Sequence, residues 1–376
     1  MRARFRSWIG PALSAERPWL NVYVPPRVAD FLISAGARPG SPRADVPALE
    51  IMVAQTAKPA PVAVLGGPVP APAPAGPVPA GPVPAGPVPA GLVAPAGPAL
   101  ARAVLSGENL AGANLADADL NGADLSGANL SGADLSGATA VRAMLARAGM
   151  ANANLADADL TRASLLEADL SGADLSGADL TSADMFRVNL ADAKLTGATL
   201  AGAHLVRGNL VSADLSGATL AGADLFEATL RAAVLRDATL REAVLAGVDL
   251  FRADLTHADL TGAELDHADL AGARLAGADF TGARLNGATL RYSNMADAEL
   301  AGAELFMADL RGATLTGADL SGADLRGADL ADVTWSAATA WPQHIGKDVE
   351  ATSVEVEPGI WRLGDGDLLA AGGTTA

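Results

Sequence analysis

The chain has 376 residues, half of them apolar but only 4% aromatic, with 41 glycines and 23 prolines, so it lacks the large side chains of an ordinary globular core. It contains no cysteine, which excludes disulfides, thiolate metal sites, iron–sulfur clusters and a thiol nucleophile. A formal charge of −17 opposes long-range attraction to nucleic acid and favours a basic partner.

Four segments follow in chain order. Residues 1–58 mix Trp, Val, Ile and Leu with scattered prolines and read as a disordered stretch or a small cap. Within them, Arg2, Arg4 and Arg6 precede an apolar run that is short and interrupted by Pro11. That makes a poor secretory signal, so a cytoplasmic location is expected. Residues 59–100 are rich in Pro, Gly and Ala, with Gly-Pro-Val-Pro-Ala repeated from Gly76 to Ala90, and read as an extended, partly stiff linker. No proline occurs between Pro98 and Pro342, which marks a folded body at 101–335 that carries most of the acidic excess. Residues 336–376 are expected to form a C-terminal cap and tail. Outside the Pro/Gly tract, no apolar run has the length of a bilayer span, so no membrane is expected as a partner.

The body has a five-residue period. From Leu105 to Leu330 every fifth residue is leucine except Ala140, Met150, Met185, Phe280 and Met295. Two places earlier sits a small residue, as in Ala113, Ala118, Ala123 and Ala128. Helices repeat near 3.6 residues and strands near 2, so neither fits. On a helix, leucines five apart would smear over every face. A chain that turns one corner every five residues fits directly: leucine points inward, the small residue lets the corner close, and the other three face out. Four sides make a coil of about twenty residues, and coils stack at the β-ladder distance of about 4.8 Å. The expected fold is all-β, a solenoid of about eleven to twelve coils held by its neighbours.

Ala113–Asn114–Leu115, Ala158–Asp159–Leu160 and Ala318–Asp319–Leu320 carry the motif Ala-(Asp/Asn)-Leu-x-x. On these residues the chain resembles the pentapeptide repeat family across 105–335. The resemblance implies a right-handed quadrilateral β-helix, with Trp335 plugging its end and Trp341-Pro342 packed over the last coil. Glu108 departs from the pattern and leaves the first coil frayed or covered. Some family members resemble duplex DNA in size and charge and bind type II topoisomerases. The resemblance therefore implies a protein partner, with DNA gyrase or topoisomerase IV as candidates, and a homodimer as a further option.

Residues twenty apart should form surface columns. One reads Leu166, Phe186, Val206 and Phe226, bordered by Arg187, Arg207 and Glu227, and is a candidate apolar interaction stripe. The alternative is that these side chains stack only for stability. Two candidate acidic columns are Asp249, Asp269, Asp309 and Asp329, broken by Thr289, and Asp259, Asp279, Glu299 and Asp319. Stacked carboxylates repel, so they require a partner, a cation or a corner hydrogen bond. Arg231, Arg291 and Arg311 stud a further column, so the charge is patchy. Asp and Asn also satisfy backbone groups at turns, which accounts for the motif without any partner.

No catalytic constellation stands out. His204, His257, His267 and His344 do not share a column, and no phosphate loop or His-Glu-x-x-His is present. The expectation is a protein that is not an enzyme, with no cofactor and no metal, and with no direct nucleic-acid binding. It leaves a scaffold that binds protein, through the acidic columns or through the apolar stripe.

Overall fold

The computed structural model describes residues 99–364. The expectations for 1–58, for the linker up to residue 98 and for the tail after 364 lie outside the described residues.

Each pentad builds the same local structure, and its backbone hydrogen bonds explain why. The leucine carbonyl accepts the N–H three residues on, as in Ala118 N to Leu115 O at 3.0 Å, closing a turn around the two residues after leucine. The second of these has positive φ at every corner, from Arg102 (59°) to Asp332 (60°), as the corresponding position of a type II turn requires. The leucine N–H donates across to the next coil, as in Leu120 N to Thr139 O at 2.7 Å. The left-handed residue does the same, as in Gly122 N to Val141 O at 2.9 Å. The residue before leucine donates back to the previous coil, as in Asp124 N to Ala103 O at 2.8 Å. One N–H remains, on the first corner residue, and the Asp or Asn side chain accepts it, as in Ser126 N to Asp124 Oδ1 at 3.0 Å.

Where the motif is complete, every backbone donor is thus spoken for. A proline anywhere in it would remove one of them, which accounts for the proline-free body.

Parallel bridges join residues twenty apart without a slip from Ala99↔Asp119 to Thr314↔Thr334. The bridges recur on four sides, starting with Ala99, Val104, Asn109 and Asn114, so each coil is four-sided. From Leu120 to Leu325 the leucines and their substitutes Ala140, Met150, Met185, Phe280 and Met295 are fully buried along the axis, lined by the alanines. At the small position Val188 and Gly208 replace alanine in adjacent coils, and a Cβ on Gly208 would come within 3.0 Å of Leu205 O. At Ser293 the hydroxyl is buried and donates to Leu290 O at 2.8 Å.

The two ends differ. In the first coil Leu100, Leu105 and Leu110 are only partly buried, and Glu108 is exposed. At the other end the register slips by one residue, with Asp319 bridging Ala340. There β1 (Thr334–Ser336), α1 (Gly346–Thr352), β2 (Ser353–Glu357) and β3 (Ile360–Leu363) form a cap whose antiparallel sheet runs β1–β3–β2. The short helix α1 corrects the purely β expectation: Ile345 and Val349 are buried against the core, and this brief amphipathic segment buries them as a helical turn. Trp335 lies buried in β1, with its ring centroid 5.0 Å from that of Trp361 and 6.1 Å from that of Trp341. Its Nε1 donates to Ser353 Oγ at 2.9 Å. Ser336 Oγ accepts the Gly317 N–H at 3.1 Å, a bond that a backbone carbonyl receives elsewhere in the stack.

Two substitutions test this account in the full chain by chemical denaturation. Leu225→Ala removes buried side-chain atoms from the column and should destabilise by about 2–5 kcal/mol. Ala232 occupies a left-handed corner at φ 55° with no function-bearing side chain. Ala232→Gly should therefore stabilise by about 0.5–1 kcal/mol; a loss of stability would contradict the claim of corner strain.

Candidate interaction surface

Because core and backbone repeat, individuality lies in three outward positions per side. The two corner residues project furthest. Glycine is the residue best suited to the second corner position, yet arginine, glutamate, histidine, tyrosine and methionine occupy many of these left-handed sites.

The candidate stripe lies at first-corner positions on consecutive coils. Leu166, Phe186, Val206 and Phe226 are each half-buried, so part of their surface is covered by stacking. Their carbonyls accept N–H groups of the left-handed residues one coil earlier, as in Glu167 N to Phe186 O at 2.9 Å and Arg187 N to Val206 O at 3.0 Å. The neighbouring charges pair along the same corner. Arg147 meets Glu167 at 2.9 Å, Arg187 reaches Glu167 at 3.9 Å, and Arg207 meets Glu227 at 2.7 Å. The Arg187 guanidinium also lies 5.3 Å from the Phe186 ring centroid. Apolar stripe and charge ladder thus form one ribbon.

Both acidic columns stack as the twenty-residue register requires, Asp249 on Asp269 and Asp259 on Asp279 with Glu299 and Asp319 beyond. Their first duty is local. Asp249, Asp259, Asp269, Asp279, Asp309, Asp319 and Asp329 each accept the N–H two residues on. Several carry an arginine on the other oxygen: Arg231 on Asp249, Arg241 on Asp259, Arg291 and Arg311 on Asp309, and Arg311 on Asp329. Among the described residues Asp269, Asp279, Glu299 and Asp319 have no ion-pair partner. Elsewhere neutral side chains relieve the same repulsion: Asn189 Nδ2 donates to Asp169 at 2.8 Å and Asn209 Nδ2 to Asn189 at 2.9 Å.

Asp254 is the extreme case, buried on an outward face beneath Arg236 at 2.7 Å and Arg274 at 3.5 Å. Burial is the largest single influence and pushes its pKa up. Hydrogen bonds from Arg236, the Thr256 hydroxyl and the Thr256 amide together outweigh it and hold the carboxyl below its ordinary value. Asp259 balances the same way, burial against Thr261 and Arg241. In Asp174 and Asp124 the hydrogen bond from the serine two residues on is the leading cause of the downward shift.

Sequence reasoning passed over two of the most exposed large side chains. Tyr292 and Met307 stand at left-handed corners and are 75% and 64% exposed, with Phe306 beside Met307. The signal was available: a bulky residue where the repeat favours glycine. At three ring-bearing corners the next coil carries glycine. An added Cβ on Gly277, Gly287 or Gly312 would approach the rings of His257, His267 or Tyr292 to 2.4, 2.7 and 2.6 Å. His257 and His267 stand on different columns, and among the described residues no group of His, Asp or Glu is arranged to hold a metal ion. No helix among them is long and apolar enough to cross a membrane.

The sequence profile of pentapeptide repeats matches residues 100–137 and, in overlapping copies, 153–332. The chain belongs to the pentapeptide repeat family. Solved structures of the family include HetL of the cyanobacterium Nostoc sp. strain PCC 7120, a protein involved in heterocyst differentiation regulation. It is 36% identical over 57% of this chain and 88% of its own, with a TM-score of 0.29. A second protein of that organism, alr5209, is 40% identical over 24% of this chain and 74% of its own, with a TM-score of 0.24. QnrB1, a plasmid-mediated fluoroquinolone resistance protein, is 18% identical over 55% of this chain and 93% of its own, with a TM-score of 0.29. No curated protein matches the sequence.

The lowered carboxylates make the pentapeptide stack acid-sensitive in a defined direction. Their folded-state values lie below the unfolded value of about 3.9, so the stabilisation is complete above about pH 4 and is lost as pH falls through the folded values. Circular dichroism of the full chain should show unchanged β signal and melting temperature from about pH 7 to pH 5. The melting temperature should fall steeply below about pH 4; a decline that begins near neutrality would contradict the assignment.

Proposed function

We propose that this pentapeptide repeat protein is a non-catalytic scaffold that binds other protein surfaces through the corners of its stack. The observation that carries the reading is the occupation of left-handed corners by Arg187, Arg207, Glu227, Tyr292 and Met307. Each accepts backbone strain that glycine would avoid, and each projects its side chain outward, where a partner rather than the core gains from it. The finer geometry follows the family, a right-handed winding of about eleven to twelve coils. The stripe of Leu166, Phe186, Val206 and Phe226 with its flanking charges is the candidate contact surface.

A narrower reading makes a type II topoisomerase, DNA gyrase or topoisomerase IV, the partner. The stack of Asp279, Glu299 and Asp319, which lacks arginine partners among the described residues, favours it. One carboxylate per coil, about 4.8 Å apart, is sparser than the one charge per about 1.7 Å of duplex DNA. The arginine pairs thin the charge further, so such a contact would engage one face of the stack rather than imitate a whole duplex.

In a gyrase supercoiling assay at low salt, the full chain is expected to alter activity, and the triple variant Asp279→Asn, Glu299→Gln, Asp319→Asn to lose that effect. No effect of the parent chain in excess would remove the topoisomerase reading. It would leave the scaffold reading to a pull-down in which Phe186→Ser with Phe226→Ser abolishes capture while the β signal persists.

A further inference from the structure

The face between the corner of Arg162 and the corner of Arg187 carries a pattern that is symmetric about the coil of Val206. One coil to either side stand Phe186 and Phe226, with Arg187 beside the first and Glu227 beside the second. Two coils out stand Leu166 and Ala246 on the same column, and Arg162 and Glu242 on the neighbouring corner. Three coils out the match ends, because Arg142 and Arg147 stand opposite Gly262 and His267. Apolar residues therefore repeat across the centre along the Phe186 column, and the charges invert at Arg187 and Glu227 and at Arg162 and Glu242. The unbroken twenty-residue register keeps all of them on one face.

A two-fold axis lying in the plane of this face, perpendicular to the stack, brings each position against its mirror in height. We propose that this face is the interface of an antiparallel dimer with a second copy of the chain. Phe186 meets Phe226 of the other copy, Val206 meets itself, Arg187 meets Glu227 and Arg162 meets Glu242. Arg162 and Glu242 are both exposed left-handed corner residues, and neither has an ion-pair partner within its own chain among the described residues. Two like-charged juxtapositions arise, Asp184 with Asp224 and Arg207 with its own copy on the axis, and His204 lies between the two aspartates on their column. Arg207, also near the axis, is already paired with Glu227 of its own chain.

The matched strip spans about five coils, or about 24 Å. One side of a coil with its corner side chains is about 20 Å wide, so two copies would bury about 1,000 Å² in total. That is the size of a weak, transient interface, so the dimer should be reversible and salt-sensitive. This inference deepens the scaffold reading by naming one occupant of the stripe. A monomeric chain would end the inference, while capture of another protein through Phe186 and Phe226 would still uphold the scaffold.

Sedimentation equilibrium of the full chain tests it. At low ionic strength the mass should approach twice that of the chain, and dissociation should strengthen at least tenfold in high salt. Arg162→Glu alone and Glu242→Arg alone should each weaken association at least tenfold. The double variant, with both changes, should recover it. Within one chain these positions lie four coils apart, about 19 Å, so recovery requires contact between copies. Circular dichroism confirms that each variant keeps the β signal, and Phe186→Ser with Phe226→Ser supplies an independent disruption of the centre. A monomer at every concentration, a dimer indifferent to the single reversals, or a double variant no better than the singles would each overturn the proposal.

Discussion

The structure depends on one arrangement of backbone hydrogen bonds. Of the five N–H groups in a pentad, two reach forward to the next coil and one reaches back. One closes the corner, and one is accepted by the Asp or Asn before the leucine. Each constraint on sequence follows from this. Proline is excluded because no donor is spare, alanine sits beside leucine because the corner brings the chain close, and Asp or Asn recurs because one donor has no backbone acceptor. A coil by itself satisfies only its corner bonds, so the stack is stable as a stack.

The same arrangement separates core from surface. Positions along the axis accept other apolar residues, as Met150, Met185, Phe280 and Met295 show. Outward positions bear no such constraint, so they can vary and hold information. Some of that variety is spent on the stack itself. Arginines on Asp249, Asp259, Asp309 and Asp329 relieve the repulsion that a column of carboxylates would otherwise build up. The rest, at corners where the backbone is strained for any residue but glycine, is available for contact with other proteins.

The cap shows where regularity ends. A stack of open coils leaves unpaired edges and an exposed apolar axis. At the C-terminal end Trp335 takes the next leucine position, and β3 pairs with the strand that contains it. Trp341 and Trp361 then close over it, and a serine hydroxyl stands in for one missing carbonyl. The first coil has no equivalent among the described residues, and its leucines remain half-exposed.

The spacing of Leu105 to Leu330 by itself determined the period, the inward column, the four-sided coil and the stacking of residues twenty apart, because a strict repeat admits only one register. It also determined which side chains share a column, so Phe186 and Phe226, or Asp259 and Asp279, were aligned before any coordinates. Only the tertiary structure decided what those columns do electrically. Whether Asp309 is bare or clasped by Arg291 and Arg311 depends on how side chains reach between adjacent columns, which a one-dimensional pattern does not encode. The positive φ at every corner belongs to the same class. It turns Tyr292, Met307 and Arg162 from ordinary surface residues into strained ones, and that strain is visible only once the backbone has closed its turn.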